Sequence, residues 1–225
     1  MAVSMFETIK SLPLFSGISD EQLLNVLGQC KMHFQTVSAG KVVLNAGEVC
    51  ANLTFLISGI VRATFTSIDG RLSLSQSIKG PDVLFPHYLF GLTTARPATV
   101  RSVSEVVLLH VSKNDLLKLL AKSDVALLNF LNTLCGSAQR AFRDVLNSTG
   151  GDLRRRLASR VCALTRPQSF DIVLEVNANV SAEFDTSIEN FTAAFDWLVE
   201  NKIVSGTPNR MVVKNRAALA ELLTT

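Results

Sequence analysis

Three histidines and four cysteines are the side chains here most able to bind a metal or attack a substrate, and their placement argues against both. Cys30, Cys50, Cys135 and Cys162 are scattered, with no C-x-x-C pair and no histidine at ligand spacing. A zinc or iron-sulfur cage is therefore not expected, and the thiols read as reduced and buried. His33, His87 and His110 have no partnered Cys, Ser or carboxylate motif, so no catalytic constellation emerges and the chain is not read as an enzyme. Binding chemistry remains. Phe85-Pro86-His87-Tyr88-Leu89-Phe90 gathers aromatic groups around one imidazole, the composition of a small-molecule pocket. Residues 179–204 have the cadence of a helix, a tight turn, a second helix and a strand, the layout of a DNA-reading helix-turn-helix. Yet residues 171–200 hold seven acidic side chains and no lysine or arginine.

The elements that must position these groups follow from periodicity. Between Gly40 and about His110, short β-rich runs stop at Gly47, Gly59, Gly70 and Gly80 and then resume over residues 98–102 and 106–111. That rhythm predicts an antiparallel barrel or roll. Residues 20–30 place Leu23, Leu24 and Leu27 on one helical face. After Ser112 the period changes to a short helix over 114–120 and a long one over 124–147. In the long helix Leu128, Leu131, Cys135, Ala138, Phe142 and Val145 alternate by three and four, the seam of a coiled coil, and small residues at 135, 136 and 138 favour a homodimer. Packing against the helix's own domain is the alternative reading of that stripe.

Ser148-Thr149-Gly150-Gly151 breaks the long helix and reads as a hinge, with Asp152 placed to cap the helix that opens at Leu153-Arg154-Arg155-Arg156. A strand over 171–176 follows, then a short helix with Val180 and Phe184 on one face. Thr186 and Glu189 have capping-box spacing at the start of a helix that turns Phe191, Ala194, Phe195 and Leu198 inward. Residues 203–205 and 211–214, joined through Gly206-Thr207-Pro208-Asn209, predict a hairpin, which makes the whole a winged helix.

The fold class expected is α+β, an N-terminal antiparallel β-roll of jelly-roll type, a dimerisation helix and a C-terminal winged helix-turn-helix. Its segments are 1–122, 123–150 and 151–225. With 48% apolar residues in 225, two cores are feasible. No apolar run approaches the ~18 residues that span a bilayer, and the start lacks a signal-peptide pattern, so a cytoplasmic protein without a membrane partner is expected. Thirteen basic against ten acidic residues over 1–150, and nine against nine over 151–225, leave the presumed DNA end uncharged overall.

This order of elements resembles the CRP/FNR family of bacterial transcription regulators over nearly the whole chain. Leu12-Pro13-Leu14-Phe15-Ser16-Gly17 is similar to the family's opening, Phe55-Leu56-Ile57-Ser58-Gly59 to its hydrophobic strand ending in glycine, and Asp152 with Arg156-Leu157-Ala158 to its hinge. The resemblance implies a dimeric regulator that answers a small-molecule effector and binds promoter DNA, with RNA polymerase as a further partner.

The family's cyclic AMP cradle is a glycine-glutamate pair followed by arginine-serine. Here the positions read Gly80-Pro81-Asp82 and Arg96-Pro97, and Pro97 removes a hydroxyl and a backbone N–H at once. The purine-contacting pair falls at Ala141 and Phe142. Cyclic AMP is therefore not expected. No cofactor is expected either, and the alternative of haem held through His87 stays open. Effector-pocket candidates are Asp82, Phe85, His87, Tyr88, Arg96 and Phe142.

Where the family's reading helix starts serine-arginine-glutamate-threonine, this one has Ser187-Ile188-Glu189-Asn190, and Ala193 stands where a basic residue is common. DNA-binding candidates are thus Ser187, Glu189, Asn190, Arg154, Arg155, Lys202, Arg210 and Lys214, an atypical acidic head. A sensor or interaction protein of the same fold with reduced or lost DNA binding is the alternative.

Overall fold

The computed structural model describes residues 5–28, 30–148 and 152–223. Helices α1 (Met5–Lys10) and α2 (Asp20–Leu27) precede strands β1 (Met32–Val37), β2 (Val42–Leu44), β3 (Asn52–Ser58), β4 (Ile60–Thr66), β5 (Leu72–Lys79), β6 (Asp82–Leu84), β7 (Ala98–Ser102) and β8 (Val106–Ser112). Then come α3 (Lys113–Lys122), α4 (Asp124–Ser148), α5 (Leu153–Leu164), β9 (Phe170–Val176), α6 (Val180–Glu183), α7 (Ile188–Glu200), β10 (Val204–Thr207), β11 (Arg210–Val213) and α8 (Arg216–Glu221). The sequence reading agrees closely in element type, and α4 runs one residue past its expected end. Thr149, Gly150 and Gly151 of the expected hinge lie outside the described residues.

The chain forms two compact units. Residues 1–61 and 79–137 make the first, a roll in which β1-β8-β3-β6 form one antiparallel sheet and β2 pairs with β7. The glycine punctuation has a steric cause at Gly59. Its φ is +90°, and a methyl group there would sit 2.3 Å from the Glu105 carbonyl oxygen, so only glycine lets the end of β3 pass so close to the start of β8. The core is Leu12, Phe15, Leu23, Phe55, Leu109, Leu116 and their neighbours, with Phe15 and Phe55 rings 6.2 Å apart. One face of α4 closes this core with Ala126 and Phe130, and the Asn129 side-chain amide donates to the Leu14 and Ser16 carbonyls. The opposite stripe of α4 is exposed.

Residues 138–223 form the second unit together with residues 62–78. These units do not coincide with the three segments read from sequence, because the β4–β5 hairpin groups with the winged head. Strand β5 pairs antiparallel with β9, Leu72 opposite Val176 and Leu74 opposite Leu174, and the sheet runs β10-β11-β9-β5-β4. Leu74 accordingly sits in the head's core beside Ile172, Leu174, Phe191 and Leu198. Gln76, 2% exposed, fixes the turn between α5 and β9: its amide nitrogen donates to the Leu164 carbonyl at 2.9 Å, and its oxygen accepts from the Arg166 N–H and the Ser169 hydroxyl.

Replacing Gly59 by alanine is expected to cost about 1–3 kcal/mol, the usual range for forced backbone strain. Urea unfolding with an unchanged m-value checks it.

Candidate nucleic-acid interface and effector segment

The head is built outward from α5. Asp152 caps it, its carboxylate accepting from the Arg154 N–H at 3.1 Å and pairing with the Arg154 guanidinium, which lies 4.5 Å over the Trp197 ring. Burial pushes Asp152 up, but the hydrogen bonds and charge of Arg154 outweigh it and hold the carboxyl below its ordinary value. One turn on, Arg156 Nη1 donates to the Phe184 carbonyl at 2.8 Å. Arg160 Nη1 reaches the Glu183 carbonyl at 3.4 Å while its guanidinium stacks 4.7 Å over the Phe184 ring. These arginines hold the end of α6 and the turn after it. The Arg155 guanidinium makes no hydrogen bond or ion pair among the described residues, and its charge acts on Asp152.

Helix α7 is fixed by its buried stripe of Phe191, Ala194, Phe195 and Leu198. One expectation is corrected here. The cap is Ser187, whose hydroxyl oxygen accepts from the Asn190 N–H at 3.2 Å, so the Thr186–Glu189 capping-box register is off by one residue. The shift follows from Asp185, which takes φ +47° in the turn and puts Ser187 rather than Thr186 at the boundary. The Glu189 carboxylate turns back onto its own backbone N–H and the Ser187 hydroxyl, which lower its pKa. Ile188, Glu189, Thr192, Ala193, Asp196 and Glu200 are exposed. Asn190, with Thr186, lines a cavity of about 430 Å³ beside Arg154 and Trp197.

Of the remaining cations, Arg210 Nε pairs with Glu175 at 2.9 Å across β11 and β9. Lys202 and Lys214 are exposed, and their ammonium groups make no hydrogen bond or ion pair among the described residues. Sequence reasoning placed these cations on the head without separating those already engaged from those available. Engagement depends on partners as far off as Glu175, 35 residues from Arg210.

In the roll, Asp82 is buried on β6 and accepts from the Val83 N–H at 2.7 Å. Phe85 is buried in a left-handed conformation, φ 50°, ahead of a short 3-10 turn over Pro86–Tyr88. His87 is exposed, its ring 4.7 Å from that of Tyr88. Arg96 lies elsewhere. Its guanidinium, 13% exposed, pairs with Glu48 at 2.9 Å and lowers the Cys50 thiol that burial pushes up. Glu48 and Cys50 carried no sequence signal for this grouping. Phe142 belongs to the second unit and is 68% exposed.

His33 and His110, read as structural, face each other across β1 and β8 with ring centroids 6.2 Å apart. His110 Nδ1 lies 3.0 Å from the Thr54 hydroxyl and Nε2 lies 3.2 Å from the Gln35 carbonyl oxygen. A neutral ring with its proton on Nε2 satisfies both. Burial first, then His33 and Arg96, push its pKa below the ordinary 6.5.

Along α4 the expected seam residues Leu128, Leu131, Cys135, Ala138 and Phe142 are all exposed, and the Val145 side chain lies outside the described residues. No group of three or more His, Cys, Asp or Glu among the described residues could hold a metal ion, and no described helix is long and apolar enough to cross a membrane.

Residues 34–123 match the family model of the cyclic nucleotide-binding domain. Over nine tenths of its length the chain has the fold of CprK. The structure of CprK complexed with OCPA has this fold at a TM-score of 0.51 and 15% identity, over 90% of this chain and 93% of that one. Catabolite activator protein of Thermus thermophilus is 20% identical over 94% of this chain and 98% of its own, at a TM-score of 0.48. DNR of Pseudomonas aeruginosa is 18% identical over 99% and 100%, at 0.47. No curated protein is significantly similar to the chain.

A histidine whose folded pKa lies below its unfolded value makes the unfolded chain bind more protons, so stability falls with falling pH. The roll is expected to lose stability as pH drops through 6.5 and to level off below the lowered folded value. His110→Gln, which keeps an acceptor and a donor, should flatten that part of the melting-temperature profile between pH 5 and 8.

Proposed function

We propose that the protein is a dimeric transcription regulator that answers a small molecule other than cyclic AMP and binds promoter DNA through its winged head. The observation that carries the DNA reading is the finished geometry of α6, turn and α7: a capped 13-residue helix with one face buried and the other open along its length, next to an ordered hairpin. Phosphate attraction would come from Arg155, Lys202 and Lys214, whose charges are not engaged elsewhere in the head. The exposed stripe of α4 is the dimer seam, and two heads would read half-sites about one helical turn apart.

For the effector, the donor set argues against a cyclic phosphate. Arg96 is already neutralised by Glu48, Asp82 brings a carboxylate, and Pro97 offers no N–H. The segment 85–90 stays the proposed pocket wall, with His87 exposed for a polar group. CprK complexed with OCPA is one molecule of this fold that takes a ligand which is not a cyclic nucleotide by name.

A second reading has an observation of its own. Arg154, Arg156, Arg160, Arg210 and Arg216 all bond within the head, and the open face of α7 carries Glu189, Asp196 and Glu200. That balance favours an interaction module with reduced or lost DNA binding.

Selection from randomised duplex DNA by the purified protein separates the two. A regulator should enrich a palindrome whose affinity falls with salt at a log–log slope of about −5, six phosphates per dimer at ~0.9 each. An interaction module enriches nothing. Leu131→Glu, an exposed change that leaves the roll core intact, should convert the dimer to monomer in sedimentation velocity. Cyclic AMP at millimolar concentration should leave the melting temperature unchanged.

A further inference from the structure

Resting on the DNA-reading proposal, we infer that α7 recognises thymine through methyl contacts made by Ile188 and Thr192. The inference comes from an inventory of what the open face can offer. Guanine presents only acceptors in the major groove, O6 and N7, so reading it needs a donor, ordinarily arginine or lysine. Residues 171–201 contain neither.

Two of the face's hydroxyls are committed. The Thr192 hydroxyl donates to the Ile188 carbonyl at 2.8 Å, and the Ser187 hydroxyl serves the α7 cap. Asn190 is exposed beside the cavity that Arg154 and Trp197 line, and its side-chain amide suits adenine. Glu189 can only accept, which suits cytosine N4 and opposes the guanine acceptors.

What the face does offer is apolar. Ile188 is the first residue of α7 and is 52% exposed. Tying the Thr192 hydroxyl to the helix backbone leaves its γ-methyl outermost, one turn along on the same side. Four residues of helix rise ~6 Å, nearly two base-pair steps of ~3.4 Å. Ile188 and Thr192 can therefore meet the 5-methyl groups of two thymines separated by one base pair, with Ala193 small enough to let the helix approach. The geometry assigns an operator half-site with two A·T pairs, one base pair apart, opposite the start of α7.

The test uses the full-length protein on its own selected duplex, with single thymines replaced by uracil, which removes only the 5-methyl group. Each replacement opposite α7 should weaken binding about fourfold, the worth of one buried methyl. The same replacement should be silent for Ile188→Ala at the Ile188 position, and Ile188→Arg should move the preferred base there to guanine. Because Ile188 is exposed, both variants keep the wild-type melting temperature. A selected site without thymine at the two positions that Ile188 and Thr192 face, or uracil substitutions that cost nothing in the wild type, overturns the methyl readout while leaving DNA binding intact. A folded dimer that enriches no sequence overturns both.

Discussion

A helix of four residues cannot close its own hydrogen-bond ladder, and the head is organised around meeting that need from outside. Helix α6 leaves its terminal carbonyls without intrahelical partners. Arg156 and Arg160 of α5 supply them, at Phe184 and Glu183, and the Phe184 ring takes the Arg160 cation on one side and the Phe191 ring, 5.4 Å away, on the other. The turn is thereby fixed in angle, and with it the start of α7. The same bonds withdraw two cations from the surface. A head that spends arginines on its own turn must attract phosphate with few charges, which is why the reading of this protein hinges on Arg155, Lys202 and Lys214.

The roll shows a comparable trade between structure and ligand chemistry. The Arg96 side chain is 13% exposed and its charge is met by Glu48. Breaking a pair of this kind leaves a buried charge uncompensated, so an incoming anion would have to replace Glu48 rather than join it. The segment around His87 instead contributes aromatic rings, Phe90 packing on Phe130 and under Lys113, and the proposed effector chemistry follows from that apolar character.

Pairing of β5 with β9 links segments about a hundred residues apart in sequence and places Leu74 and Gln76 among residues of the winged head. Gln76 is a polar residue in a run of alternating serines and apolar side chains, and its local pattern describes only a half-buried strand. Its three hydrogen bonds to the 164–169 turn exist because β9 lies alongside.

The sequence by itself determined the element types, because periodicity and punctuation are local. Period two with glycine stops wrote the roll, period three and four wrote α4, and Asp152, Phe191 and Leu198 announced α5 and the buried side of α7. It also determined the acidity of α7 and the loss of the cyclic-phosphate donors at Pro97. Tertiary structure decided which cap closes α7, since a left-handed Asp185 moved the boundary by one residue, and where the β4–β5 hairpin finds its partner strand. It alone decided which charges are available. Arg210 and Arg155 look alike in sequence, and only the proximity of Glu175, across a ladder the chain must fold to make, separates a paired guanidinium from an open one.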